Sequence, residues 1–146
     1  MTKNFSLSPS LTQLEQRINH GIRTGLQLAG ELLRSTAAGY IGQELPDWPP
    51  LAASTVAEKT RLGFTGKVSL TDPLLRTGAL QASLTWSLDT EKMELRVGSS
   101  DPVAIWQELG TATIPPRSFL ARAAIEQEQE IRDLIAGEIA KAIRND

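Results

Sequence analysis

The feature that most constrains this fold is a double change of period between Leu74 and Leu120. There the stretch LLRTGALQASLTWSLDTEKMELRVGSSDPVAIWQELGTATIPPRSFL passes from helical spacing to strict alternation and back. Leu74, Leu75, Leu80 and Leu84 lead in through a short helix or turn, with a tight turn at Thr77 and Gly78. Leu84, Trp86 and Leu88 then alternate with Thr85 and Ser87. After a loop over Asp89 to Lys92, Met93, Leu95 and Val97 alternate with Glu94 and Arg96. That pattern predicts a hairpin with one buried face, with Glu94 and Arg96 on its wet side and Gly98 stopping it. Pro102 opens a short helix, VAIWQEL, that Gly110 closes. Thr111 to Ile114 reads as a third strand, ended by the Pro115-Pro116 corner.

Two long helical patterns flank this stretch. Ser10 with Gln13 three residues on forms a capping-box pattern. At 100° per residue, Leu11, Leu14, Ile18, Ile22, Ala29, Leu32 and Leu33 then share one face. Gly25 falls at the centre of that face and Gly21 on its flank. Each costs about 1 kcal/mol against alanine in a helix, so a close contact is expected there, either with another subunit or with the chain's own C-terminal helix. The helix is expected to fray between Gly39 and Gly42. The second pattern runs from a cap at Ser118 to about Arg144, with Leu120, Ala124, Ile131, Ile135, Ile139 and Ala142 on one face. Glu128, within the run EQEQE, interrupts that face, so its central turn does not fit a dry core. Helices of this length over one small sheet leave apolar stripe uncovered, and self-association is the natural way to cover it.

Between them, LPDWPPL is too rich in proline for a helix, which puts Trp48 on a stiff extended connection with its indole at the core edge. Ser54 is expected to cap a short helix, TVAEKT, ending by Gly63. Residues 63–72 read as a mobile loop, and Lys59, Arg61, Lys67 and Arg76 make residues 59–76 the most basic neighbourhood of the chain. The expected fold is a single α+β domain over residues 1–146, with a flexible start at residues 1–9. A small antiparallel sheet packs against a long N-terminal and a long C-terminal helix.

A chain of 146 residues with 40% apolar and 22% charged residues is large enough and apolar enough to build its own core. The net charge of −2 argues against a protein built mainly to hold nucleic acid. The absence of cysteine excludes disulfides and thiolate chemistry. No signal-like or membrane-spanning run occurs, so a soluble, unprocessed protein is expected. Chemistry is not signposted. His20 is the only histidine, no acidic cluster has calcium-loop spacing, and G-x-S-x-G is missing. Gly63 to Lys67 lacks the spacing of a phosphate loop. Carboxylate pairs for hydrolysis would have to come from Glu44, Asp47, Asp72, Asp101 and Glu108, which are scattered, with Asp72, Asp101 and Glu108 the candidates among them. The residues therefore point to a non-enzyme with no cofactor, no metal and no small-molecule substrate.

Several short signatures occur in order: Trp48-Pro49-Pro50-Leu51; Ser54-Thr55 with Lys59; Leu74 to Leu80 with Thr77-Gly78; Val97-Gly98; Ala104 with Trp106-Gln107; Gly110; and Pro115-Pro116-Arg117-Ser118-Phe119-Leu120. Together they resemble the tail-completion family of tailed bacteriophages, the phage virion morphogenesis proteins of Mu-like phages, which is similar to the tail-component proteins of lambda-like siphophages. Val103 and Trp106 stand where that family usually has an aromatic and a histidine, and Ser118 where it often has proline. The resemblance implies a structural virion component that completes the tail or joins tail to head, as a six-fold ring at the head-proximal end of the tail. It would meet neighbouring tail or connector proteins and surround DNA passing through the channel, after assembling in the host cytoplasm. On that reading Trp48, Leu51, Thr77, Gly78, Leu80, Gly98, Trp106, Gly110, Pro116, Arg117, Phe119 and Leu120 are joints of the fold. Lys59, Arg61, Lys67, Arg76, Gly21 and Gly25 are then the candidate partner contacts. A small DNA-binding or regulatory adaptor that uses the basic loop is the alternative.

Overall fold

A single helix runs through the whole molecule, and its neighbours change along its length. The computed structural model describes residues 8–63, 73–74 and 77–144. In it α1 covers Ser8–Tyr40, 33 residues or about 50 Å. It is followed by α2 (Ala53–Arg61), α3 (Ala79–Ala82), β1 (Leu84–Asp89), β2 (Glu94–Ser99), α4 (Pro102–Leu109), α5 (Leu120–Glu126) and α6 (Glu128–Arg144). The fold is α+β: a small antiparallel sheet with a long helix at each end of the chain.

Small residues on α1 mark each close approach. A Cβ on Gly21 would lie 2.7 Å from Ile139 Cα, and one on Gly25 2.7 Å from Ile135 Cα, so α6 lies backbone-close along this part of α1. Both glycines are buried there by the chain's own C-terminal helix, which corrects their reading as direct contacts for another subunit. Further along, a Cβ on Gly30 would sit 2.7 Å from the Trp86 ring and 3.0 Å from Leu95, so the hairpin lies across α1 at this point. The indole N–H of Trp86 donates to Glu31 at 3.3 Å. At the end of α1, Ala37, Ala38 and Ile41 enter the core with Leu80, Leu84, Ala104, Phe119 and Ala123.

The hairpin pairs Leu84 with Ser99, Trp86 with Val97 and Leu88 with Leu95, the register that the alternation implies. Two boundaries differ from expectation. Gly98 lies inside β2 opposite Thr85 and does not stop it. Met93 leaves the strand for the loop with φ of 51°, where the Asp89 carboxylate accepts from the backbone N–H of Glu91 and Lys92 at 3.0 Å each. Thr111 to Ile114 forms no strand; the Thr111 N–H donates to the Ile114 carbonyl at 2.8 Å and closes a turn. The last helix is divided at Gln127, inside the EQEQE run. The division changes the phase of the apolar face, so Ala123 is buried and Ala124 exposed. Ser54 lies inside α2, whose N-cap is Ala52 with no side-chain cap.

The helix seam yields a contrast within α1. Gly25→Ala adds a methyl against the Ile135 backbone, whereas Gly39→Ala adds one into open space. Gly39→Ala is expected to stabilise the chain by about 0.4–1 kcal/mol through helix propensity and chain entropy. Gly25→Ala should lower the melting temperature despite the same propensity gain. Thermal unfolding followed by circular dichroism checks both, and a rise for Gly25→Ala would contradict the close seam.

Candidate functional site: an outward apolar face on a pinned helix

α4 is held by polar contacts at both ends. At its start Asp101 is the N-cap, its carboxylate accepting from Val103 N–H at 2.9 Å, with Pro102 in the first turn. The Asp101 N–H in turn donates to Ser99 Oγ at 2.9 Å, and the Ser99 and Ser83 hydroxyls share a hydrogen bond. At its end Gly110 adopts φ of 75°, and a Cβ there would lie 2.8 Å from the Ile114 carbonyl oxygen and 2.9 Å from Pro116. Only glycine meets both conditions.

The strongest anchor is Glu108. Its carboxylate accepts from Ser118 Oγ at 2.6 Å, from the N–H groups of Phe119 and Leu120 at 2.8 and 2.9 Å, and from Ala121 N–H at 2.9 Å. Glu108 thus caps α5 from another helix, satisfying donors that a helix start leaves orphaned. Burial pushes its pKa up, but the Ser118 hydroxyl and the three backbone N–H groups pull harder, and it lies below the ordinary carboxylate value. Arg117 adds a second clasp. Its backbone N–H donates to the Gln107 carbonyl at 2.7 Å. Its buried guanidinium donates to the carbonyls of Pro49 at 2.8 Å and Pro50 at 3.1 Å, tying the proline-rich connection to α4.

So anchored, α4 buries Ala104 and turns its large apolar side chains outward: Ile105 is 64%, Trp106 47% and Leu109 73% exposed. Ile105 and Leu109, one turn apart, wall a groove of about 410 Å³. Ala104 and Leu120 also line the groove, and Gly98 to Pro102 form its other side. Contiguous apolar surface of this kind marks contact sites more often than chance exposure does.

The remaining expected residues are spread over core, turn and surface positions. Phe119 is fully buried, Leu80 is in the core, and Trp48 and Leu120 pack against it. Gly78 takes φ of 84° before α3, with Thr77 Oγ1 accepting from Ala79 N–H at 3.3 Å. Leu51 is half-buried, Pro116 is exposed and Gly98 half-buried. Trp106 is corrected: it is a surface residue of α4 and not a joint of the core. Lys59 is corrected too, because it lies on α2 and is only 2% exposed, where a partner cannot reach it. Arg61 is exposed at the end of α2, and Lys67 and Arg76 lie outside the described residues, as do most of the 63–72 loop and nearly all of residues 1–9. Of the carboxylates considered for hydrolysis, Asp101 and Glu108 serve as caps and Asp72 lies outside the described residues. His20 is exposed. Among the described residues no group of three or more His, Asp or Glu could hold a metal, and no helix is long and apolar enough to cross a membrane.

Ile105 and Leu109 were not singled out from the sequence. Their signal is that VAIWQEL is apolar on more than one side, which a short surface helix cannot bury all round. No family model, curated protein or solved structure matches the chain.

Glu108→Gln keeps the shape but replaces acceptor lone pairs with an N–H₂, so about half of the four bonds are lost. A cost of about 0.5–2 kcal/mol is expected, as for a lost cap. Because the folded-state pKa is depressed, the carboxylate's contribution is complete above the unfolded-state value and disappears as pH falls through the folded one. Denaturant titrations across the acid range should therefore show the wild type losing its advantage over Glu108→Gln as pH falls. A difference independent of pH would contradict the capping role of the charge.

Proposed function

We propose that this chain is a non-enzymatic structural component of a phage virion, completing the tail or joining tail to head as an oligomeric ring, of six subunits in the simplest case, at the head-proximal end of the tail. The observation that carries the reading is the outward apolar face of α4, whose three large side chains sit on a helix pinned at both ends. A fixed helix with an uncovered apolar face is suited to a permanent subunit contact, since little order has to be created on binding. The sequence resemblance supplies the setting. Its signature residues Gly110, Arg117 and Phe119 are the ones that hold α4 and α5 in place.

Two further features support a partner. No residue of α6 is fully buried, although it carries Ile131, Leu134, Ile135, Ile139 and Ile143. Leu11, Leu14 and Leu28 of α1 are also exposed. An apolar stripe that one helix covers only in part is completed by further subunits.

Mixed with purified tail tubes and connectors, the protein is expected to add as one discrete oligomer at a single end of each tube, seen by negative-stain microscopy, with its mass given by mass photometry. A chain that stays monomeric both alone and with these partners contradicts the proposal.

A further inference from the structure

We infer that the cavity between α2 and α4 is a binding site for a carboxylate carried on a compact apolar body, an inference that goes beyond the virion reading and does not depend on it. The cavity measures about 370 Å³, within the range of small-molecule pockets. α2 brings Lys59 to its wall, α4 brings Gln107, and Arg117 enters from the stretch before α5. Leu51, Leu80, Val103 and Ile114 give it apolar sides.

Two donors without partners open on this space. Arg117 is 4% exposed. Its Nε donates to the Pro49 carbonyl at 3.2 Å, and its Nη2 to the carbonyls of Pro49 and Pro50 at 2.8 and 3.1 Å. Its third nitrogen, Nη1, makes no hydrogen bond with any described residue. Among the described residues, Gln107 Oε1 is the one side-chain polar atom sealed from solvent without a partner. Arg117 Nη1 and Gln107 Nε2 are therefore not sealed, and the cavity is the space that both residues line. Both nitrogens carry N–H groups and no available lone pair, so what they can share is an acceptor. The sealed Gln107 Oε1 also destabilises the fold, where an apolar side chain of similar shape would not. Local costs of this kind collect at functional sites.

Charge selects the kind of acceptor. No described carboxylate pairs with Arg117, and burial holds its pKa below the ordinary guanidinium value. A buried cation that meets only carbonyl dipoles is the condition that a bound anion relieves most. Lys59, 2% exposed on the same wall, already has a partner, as has the exposed Glu58 beside it. The charge left to be met is the single one on Arg117. One positive charge between apolar walls fits a monoanion, whereas a phosphate dianion would bring a second charge with nothing to meet it. A carboxylate offers two oxygens to the two open donors in a charge-assisted contact. Its apolar body then lies against the leucine, valine and isoleucine side chains of the wall.

Heteronuclear NMR on the nitrogen-labelled chain, following the side-chain N–H signals of Gln107 and Arg117, tests the site with three probes. Isocaproate and the peptide acid acetyl-Ala-Ala-Leu are expected to shift both signals saturably, with dissociation constants in the millimolar range that ligands of this size reach. The C-terminal amide of the same peptide, which has the same body and no carboxylate, should shift neither. A peptide acid that binds about tenfold tighter than isocaproate assigns the end of a polypeptide as the carrier, and equal affinities assign a free acid; both support the site. Arg117 is left in place, because its clasp on the proline-rich connection also holds the fold. Gln107→Met keeps the length of the side chain and removes Nε2, so it should melt no lower than the wild type and weaken both acids about fivefold or more. Acids that give no saturable shift at about 50 mM, an amide that binds as well as its acid, or a Gln107→Met chain with unchanged affinity would each overturn the site.

Discussion

Glu108 gathers four hydrogen bonds from the start of α5, and that carboxylate is the strongest of the anchors that place α4. An eight-residue helix has too little propensity to persist alone, and helices in proteins are usually held by burying an apolar face. α4 buries one alanine. Polar anchors at Asp101, Glu108 and the Gln107 carbonyl replace that burial, and they leave Ile105, Trp106 and Leu109 free to face outward. If Glu108 were released, α5 would lose its cap and α4 its hold together.

The second constraint is the glycine seam. Without side chains at Gly21 and Gly25, α6 can lie against the backbone of α1. That closeness gives the molecule its form: a core at the far end of α1 and a two-helix arm at its beginning. A pair of helices has no third side to bury an apolar stripe, and α6 has no fully buried residue. Core and arm are thus both incomplete, at opposite ends of the same rod.

The sequence made the regular parts legible because their physics is local. Alternation from Leu84 to Val97 implies the observed register, and the Pro102 and Gly110 signals bound α4 at its observed ends. The polar run around Glu128 announced a difficulty in the last helix, which the structure resolves by a division at Gln127. What was illegible depends on neighbours distant in sequence. Nothing around Lys59 shows that α2 turns it inward. Gly30 follows Gly25 on the same helix, but the indole it accommodates lies 56 residues away in a strand. Trp106 looked like a core residue because tryptophan usually buries most of its surface, and only the anchors on α4 show why this one does not.

The account's central claim is that α4 is fixed with its apolar face outward and that this face is covered in the assembly. Fluorine NMR on protein carrying 5-fluorotryptophan at its three tryptophans tests it most directly, with the α4 resonance assigned by Trp106→Phe. The account predicts a Trp106 signal with a clear solvent-isotope shift in the dilute chain, and loss of that shift on assembly. A Trp106 signal already shielded in the dilute chain, or one still open to solvent in the assembled form, would contradict it.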